Sequence, residues 1–547
     1  MSADAQHWGR PTTDNPLDDI EPSQLEADVK AFHSHLSLDT VVDLRTLING
    51  ARLAKHRLRN VPSGLTPAEL ETISRESSEK YLSFLQTRGL LVTVMATACA
   101  AITQGWQQST INSSALLKWQ DDLGLDTGRD RLLIGFINAA PWLSGSLIGT
   151  WLSDPLQERF GRRPALFLSA IFCVAVEQLT ALHGRHYWPV EYFLVWGGIF
   201  LGFFCALIVM DSWRVLLATA IIPAIVLLFL VFMCPESPRF LIQRNKYADA
   251  YKSLLELRGT PIQAARDLYY IHAQLQTEAI KIWHPHEDKS WWSEREQIYA
   301  YQSWINRGNF FQRMMCLATN PRTRRACMVA LIVMASQQLC GINVLAFYSS
   351  ELLRTNQSNP SDALLTPPMA VKWYNFGFGL ANFLFTLPAY IFIDSRGRRP
   401  LLLGSFLGMF LSLIAVSGFF KIEAHYTRLI LVAVFSCLPF VFCYSIGAGP
   451  IPFTLSAEVF PLCVREVGMS FSVMVNFLGL GLLVLFVPQL TSKFHGEGNL
   501  LFFFSGLNLL ALILIFFFVP ETKDVSLEDM NSICKSVEQR KNMFGTT

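Results

Sequence analysis

The chain has 547 residues, 51% of them hydrophobic and only 16% charged, with a formal net charge of +2. Charge falls well short of the quarter or so usual in soluble domains, which points to lipid as the solvent. A net charge so near zero gives no global signal for nucleic acid, so any electrostatic message lies in where Lys and Arg sit.

Residues 1–87 form a polar N-terminal tail, expected to be cytoplasmic, soluble and partly helical. Met1 to Arg10 lacks the apolar core of a cleavable signal, so the first membrane helix is expected to do the targeting. A helix start is legible at Thr66, Pro67, Ala68 and Glu69, where Thr66 can cap, Pro67 fits the first turn and Glu69 closes the box. The basic stretch Arg52, Lys55, Arg57 and Arg59 reads as a solvated helix face before it reads as a lipid contact.

Residues 88–234 carry apolar segments near 88–106, 132–152, 164–182, 192–210 and 213–234, each long enough to span a bilayer. Residues 235–325 form a polar, basic central loop, expected to be cytoplasmic, with helical spacing over Tyr247 to Leu257 and Ala264 to Trp283. His284 and His286 follow without a third ligand, so no metal site is assigned. Residues 326–519 carry six further spans near 326–348, 373–393, 400–420, 428–449, 468–490 and 500–519, and residues 520–547 form a cytoplasmic tail. Two helical clusters joined by a long hydrophilic loop predict two facing bundles, the plan of carriers that place a site at the midplane. The fold class is therefore all-α integral membrane. Cysteines such as Cys99, Cys173, Cys205, Cys340, Cys437 and Cys443 lie in apolar runs without ligand spacing and read as small buried residues. No nucleophile, base and orienting group occur together in the spans, so no catalytic residues and no cofactor are assigned.

One loop pattern occurs twice. Asp154 to Arg163 (DPLQERFGRR) follows the second span, and Asp394 to Arg399 (DSRGRR) follows the second span of the second cluster. Short Arg-rich loops stay cytoplasmic, and an Asp at a helix end with a Gly in the turn lets guanidinium groups reach helix C-termini and carboxylates. A conformational clasp is expected from Asp154, Arg159, Arg162, Arg163, Asp394, Arg396, Arg398 and Arg399.

These loops, with Pro235-Glu236-Ser237-Pro238-Arg239, Gln337-Gln338 with Gly341 and Asn343, Gly449-Pro450, Glu458, Phe460, Pro461, Arg465 and Pro520-Glu521-Thr522-Lys523, resemble the sugar porters of the major facilitator superfamily. The similarity runs from about Gly89 to Lys523. Asp154-Pro155-Leu156 and Ala264 to Tyr270 are similar to fungal members. The resemblance implies a two-bundle fold, alternating access, Glu458 and Arg465 in the clasp, and a sugar or polyol as the small-molecule partner. Transport of a hexose-like sugar by a monomer in the plasma membrane is expected, with an inositol or quinate carrier, a nutrient sensor or an inactive truncated carrier as alternatives.

An uncharged polyol offers hydroxyls that donate and accept, so amides suit it and aromatic rings can cover its apolar face. Gln337, Gly341 and Tyr348 fall on one helical face, whereas Gln338 and Asn343 stand about 140° apart and need a break to converge. Gly341 is the expected break. Asn382 and Asn476 are amides deep in other spans, where each alone could be interhelical glue. Gln337, Gln338, Asn343, Asn382 and Asn476 fall where sugar porters carry binding amides, with Phe453 in place of the usual tryptophan after Gly-Pro.

Two departures matter. Gly105-Trp106 is followed by Gln107 where proton symporters of the family carry an Asp, so coupling through that position is excluded, Glu177 being the conceivable substitute. Tyr192 stands near the place of the fifth helix's glutamine. The family has twelve spans and eleven are legible, because only about 52 residues separate Leu182 from Pro235 where three helices are needed. Five spans before the central loop would put Arg239, Arg322, Arg324 and Arg325 outside and the glycosylation candidate Asn356-Gln357-Ser358 inside, inverting both rules. Restoring one span removes both conflicts, so a fourth helix lost across His183 to Val195 is the expectation.

Overall fold

The computed structural model describes residues 17, 20–36, 38–56, 65–78, 87–111, 131–172, 200–201, 203–205, 221–283, 309–347, 367–422, 425–461, 464–494 and 496–522. Regular structure among the described residues is entirely helical. The tail holds α1 (Pro22–His35), α2 (Leu44–His56) and α3 (Pro67–Ser78). The first bundle holds α4 (Arg88–Ile111), α5 (Arg131–Ser144) running through a π-turn at Gly145–Gly149 into α6 (Thr150–Phe160), then α7 (Arg162–Phe172) and α8 (Ile221–Met233). The central loop holds α9 (Pro238–Gln243), α10 (Tyr247–Arg258), α11 (Pro261–Trp283) and α12 (Phe310–Thr319). The second bundle holds α13 (Pro321–Leu339), α14 (Ile342–Phe347), α15 (Pro367–Arg396), α16 (Arg398–Phe419), α17 (His425–Phe435), α18 (Ile451–Val459), α19 (Arg465–Lys493) and α20 (Glu497–Phe518).

Seven described helices are long and apolar enough to cross a membrane, and six of them lie between Pro321 and Phe518, as the hydropathy pattern requires. Their outer faces invert the usual rule. Ile391 and Phe502 on these spans, and Phe229 on the shorter apolar α8, are each about 60% exposed or more, which suits a chain whose outer solvent is hydrocarbon. The segment 183–195, with Glu177, Tyr192, Tyr348, Asn356, His284 and His286, lies outside the described residues.

Helix starts follow local chemistry. The Asn320 side chain accepts from Arg322 N at 2.9 Å while Pro321 fills the first turn, so the span after it begins abruptly. Thr66 and Glu69 exchange the two bonds of the capping box, at 2.8 and 3.4 Å.

The polar tail and the central loop are not two separate soluble pieces. Leu25, Val29, Phe32, Leu47 and Ala51 from the tail share one buried core with Tyr247, Leu254, Ala265, Leu268 and Tyr269 from the loop. The crossing of α2 on α11 is tight enough that a Cβ at Gly50 would meet Arg266 N at 2.7 Å. The basic face expected to be solvated is partly spent inside this module: Arg52 pairs with Glu26 and Lys55 donates to the Ile20 carbonyl, while Arg57 and Arg59 lie outside the described residues. Sequence periodicity shows that each helix has an apolar face but not which partner covers it. The module joins the first bundle where Thr87 donates to the Leu257 carbonyl at 2.7 Å.

At its centre His272 Nδ1 takes the Tyr247 hydroxyl at 2.9 Å, and burial pushes the imidazole down from 6.5 to about 3. A neutral His272 in the folded module contributes stability above pH 6.5 that is lost as pH falls towards about 3, by about 1.4 kcal/mol per pH unit. Amide exchange of α10 and α11 in the whole protein is expected to quicken as pH drops from 6 to 4, after correction for the intrinsic rate. His272→Leu should abolish that slope while lowering the neutral-pH plateau by about 1 to 3 kcal/mol, because the Tyr247 hydroxyl is left unpaired; a slope surviving the substitution would assign it to another group.

Candidate functional site

Gly341, with φ of 94°, interrupts the helix between α13 and α14. The interruption does what the spacing required. Asn343 Nδ2 reaches back to Gln338 Oε1 at 2.6 Å, so two amides that an unbroken helix would hold apart converge. From there a chain of amides crosses to α19: Gln338 Nε2 donates to Asn476 Oδ1 at 2.9 Å, and Asn476 Nδ2 donates to Gln337 Oε1 at 2.6 Å. Gln337 Nε2 ends the chain on the carbonyls of Ala448 (3.0 Å) and Gly449 (2.8 Å). All four residues are buried. A Cβ at Gly479 would come within 3.2 Å of Gln338, so close approach of α19 needs glycine there.

The carbonyls taken by Gln337 belong to a second irregular stretch. Between α17 and α18 the chain passes through π-turns at Ser436–Phe440 and Tyr444–Ala448, and Pro452 has no N–H to offer the Ala448 carbonyl four residues back. Ser405 Oγ mends the same stretch from α16, donating to the Cys443 carbonyl at 2.7 Å and accepting from Ala448 N at 3.0 Å. Asn508 Nδ2 covers the Cys340 carbonyl at 2.9 Å, beside the break at Gly341. Gln337 is therefore half structural: its amide nitrogen is committed to backbone.

Asn382 stands apart from the chain. Its Oδ1 accepts from Ser445 Oγ at 2.6 Å, while its buried Nδ2 has no hydrogen-bond partner among the described residues. Phe453 is partly buried against Ala457 and Met469. Gln107 lies in α4, its side chain outside the described residues. Asn508, Ser405 and Ser445 were not anticipated, although Asn508 carries the same signal as Asn382, an amide in an apolar run.

The two repeated loops fold alike. Gly161 (φ 101°) and Gly397 (φ 94°) turn the chain into α7 and α16, and a Cβ at either would lie 2.8 Å from a Glu carboxylate oxygen. Those carboxylates are the caps. Glu236 accepts from Arg162 N (2.9 Å) and Arg163 N (3.2 Å), and Glu521 accepts from Arg398 N (3.0 Å) and Arg399 N (3.1 Å). Anionic groups at helix N-termini are favoured by the free N–H groups and the helix dipole together. The second Arg of each pair runs back along the bundle, Arg163 Nε to the Val231 carbonyl at 3.1 Å and Arg399 to the Phe516 carbonyl at 2.6 Å.

The side chains of the first Arg differ. Arg398 pairs with Glu458 at 2.9 Å within its own bundle, and Thr522 Oγ1 donates to the other oxygen of Glu458 at 2.6 Å. Arg162 donates to Ser237 Oγ at 3.1 Å and crosses to Glu466 at the start of α19, in the opposite bundle. Aligned on the two glycines, Glu158 stands in register with Asp394, and Asp154 lies one turn earlier. Asp154 is buried and faces Arg313 of α12 at 3.2 Å, while Glu158 takes the same guanidinium at 2.6 Å. Burial pushes Asp154 up to about 7 against the pull of Arg313. The Arg159 carbonyl accepts from Arg244 at 3.1 Å, Arg465 Nε donates to the Phe460 carbonyl at 3.4 Å, and Arg396 is exposed at the end of α15. The Asp394 side chain lies outside the described residues. Arg313 and Glu466 left no sequence signal, since their partners are far along the chain.

The architecture matches the major facilitator superfamily proton:xylose symporter XylE bound to 6-bromo-6-deoxy-D-glucose, with a TM-score of 0.60, 18% identity, and coverage of 81% of this chain and 98% of that one. That likeness defines the class, an all-α, multi-pass membrane protein of major-facilitator fold. Residues 192–534 match the model of the "Sugar (and other) transporter" family, and the chain belongs to that family of transporters, which are not enzymes. Among relatives, "Polyol transporter 5" of Arabidopsis thaliana is 29% identical over 379 residues, 68% of this chain and 66% of that protein. The "Galactose-proton symporter" of Escherichia coli (strain K12) is 28% identical over 319 residues, 58% of this chain and 60% of that protein. The chain thus spans less than two thirds of the length of these two relatives.

Glu236→Ala and Glu521→Ala each strip acceptors from two helix-terminal N–H groups, at about 1 to 3 kcal/mol apiece. Both are expected to lower the unfolding midpoint of the detergent-purified protein, with the Gln variants recovering part of the loss. An unchanged midpoint in either Ala variant would remove that cap from the clasp.

Proposed function

We propose that this protein carries a hexose-like sugar across the membrane by alternating access, acting as a facilitator. The amide chain Asn343–Gln338–Asn476–Gln337 at a broken helix is the observation that carries the reading. Each amide in it is satisfied by its neighbour. A sugar hydroxyl both donates and accepts, so it can insert between two links without leaving either amide short, and binding becomes an exchange of bonds. Asn382 Nδ2 supplies a donor still unspent, and Phe453 an aromatic face without the indole N–H. No carboxylate need be buried for an uncharged cargo.

Access alternates by breaking the charged ties between bundles, which water can replace, while α5 and α19 pack through Ala139, Trp142, Phe477, Leu480 and Val484. Arg162 with Glu466, and Arg313 with Asp154 and Glu158, hold the cytoplasmic ends together, while the caps at Glu236 and Glu521 keep each bundle rigid as those ties open. A polyol is the second reading, favoured by the likeness to a polyol transporter. A nutrient sensor of the same fold would bind without carrying. Residence in the plasma membrane as a monomer goes with the carrier reading.

Labelled-sugar uptake into cells lacking hexose carriers tests it. Gln338→Ala or Asn343→Ala should abolish uptake with the protein still in the membrane, at about 1 to 3 kcal/mol each. Uptake should ignore a protonophore, since Gln107 cannot titrate. Normal affinity in both variants would sink the site, and medium alkalinisation on adding sugar would sink the facilitative assignment.

The family match opens at residue 192, inside the 183–195 segment, which supports a break in the family pattern there. We propose that an exon encoding the fourth helix is missing from this reading of the gene. Sequencing the transcript across those codons decides it. A message that reads as written here, yielding a chain that is glycosylated at Asn356 and carries sugar, would overturn the proposal.

A further inference from the structure

Helix α12 belongs by sequence to the hydrophilic central loop, yet its free face is apolar. Phe311 (72% exposed), Met314, Met315 (64%) and Ala318 follow one another at spacings of three and four along a ten-residue helix, forming a single stripe. Cys316 and Leu317 are buried on the other side, where Arg313 also points. In water such a stripe would be an unexplained patch.

Both ends of α12 are fixed at the same level. Only Asn320 separates it from α13, and Thr323 Oγ1 of that span returns to the Cys316 carbonyl at 2.6 Å, closing a sharp corner. At its other end Phe310 meets Trp151 edge-on at 6.4 Å, and Arg313 holds Asp154 and Glu158, all three on α6. The helix therefore runs sideways, from the cytoplasmic end of a second-bundle span to that of a first-bundle span. Met328 and Leu331 of α13 are exposed apolar residues as well, and Arg322, Arg324 and Arg325 follow at the corner, the basic residues an anionic leaflet favours.

We propose that α12 is an in-plane crossbar seated in the inner leaflet of the bilayer, with Phe311, Met314 and Met315 in the acyl boundary and Arg313 turned inward to tie the two bundles. Phospholipid is the partner. Seating of this kind depends on the apolar face and on anionic headgroups near its basic flank. The inference rests on the membrane placement of the bundles and on the cytoplasmic side assigned to their loops under the carrier reading, not on the cargo.

The test places a dansyl amino acid at Phe311 or, separately, at Met315 in the full chain, reconstituted in nanodiscs of phosphatidylcholine and phosphatidylglycerol. Emission at both positions is expected to fall with a nitroxide-bearing lipid and to resist soluble iodide. A probe at Leu331 should behave in the same way, and one at Leu70 on the tail helix should do the reverse. Met315→Asp should lose the lipid quenching of the Phe311 probe. Quenching by iodide at both positions would show a water-facing helix, and quenching by neither would show a face covered by protein; either result overturns the proposal whether or not the protein carries sugar.

Discussion

A backbone group freed by a break in a helix has no water to turn to inside hydrocarbon, and this constraint organises the second bundle. The breaks are real: Gly341 interrupts one span, and two π-turns and a pair of prolines deform another. Several mends come from side chains on neighbouring helices. Ser405 serves Cys443 and Ala448, Gln337 serves Ala448 and Gly449, and Asn508 serves Cys340.

The same need explains why the candidate site lies where it does. Polar side chains that repair irregular backbone must gather at it, and a broken helix turns amides towards one another that a regular helix would spread apart. Gln337 shows the overlap most plainly, with its nitrogen on the backbone and its oxygen on Asn476. The proposed binding site for an uncharged polar ligand is thus a small extension of the repair network, with hydrogen-bonding capacity left at Asn382 among the described residues.

Rigidity within each bundle and freedom between bundles come from a second pattern. Each bundle closes its own glycine turn with its own carboxylate cap, Glu236 in one and Glu521 in the other. Between bundles the charged ties are Arg162 with Glu466 and Arg313 with Asp154 and Glu158, beside the apolar packing of Trp142 on Phe477. Asp154 is buried, and burial raises its carboxyl to about 7 against the pull of Arg313. The module built from tail and loop is tied to the first bundle through Thr87.

The sequence by itself determined the solvent, the six spans of the second bundle, the repeated glycine turns and the break at Gly341, because each is written in a local period or in one residue's backbone freedom. It also singled out four of the amides that meet, since an amide in an apolar run is conspicuous. It did not reveal that Gln337 spends half its capacity on backbone, or that Asn382 pairs with Ser445 outside the chain. The extra turn in the first repeat places Glu158, not Asp154, in register with Asp394, and letters alone leave that spacing open. The partners of charged groups were beyond reach: Arg162 meets Glu466 and Arg313 meets Asp154 across hundreds of residues and two bundles. So was the docking of the tail on the loop, where two amphipathic faces each announce that something must cover them. Which surface does so is settled only when the chain is folded, because apolar burial is non-directional and shape alone selects the match.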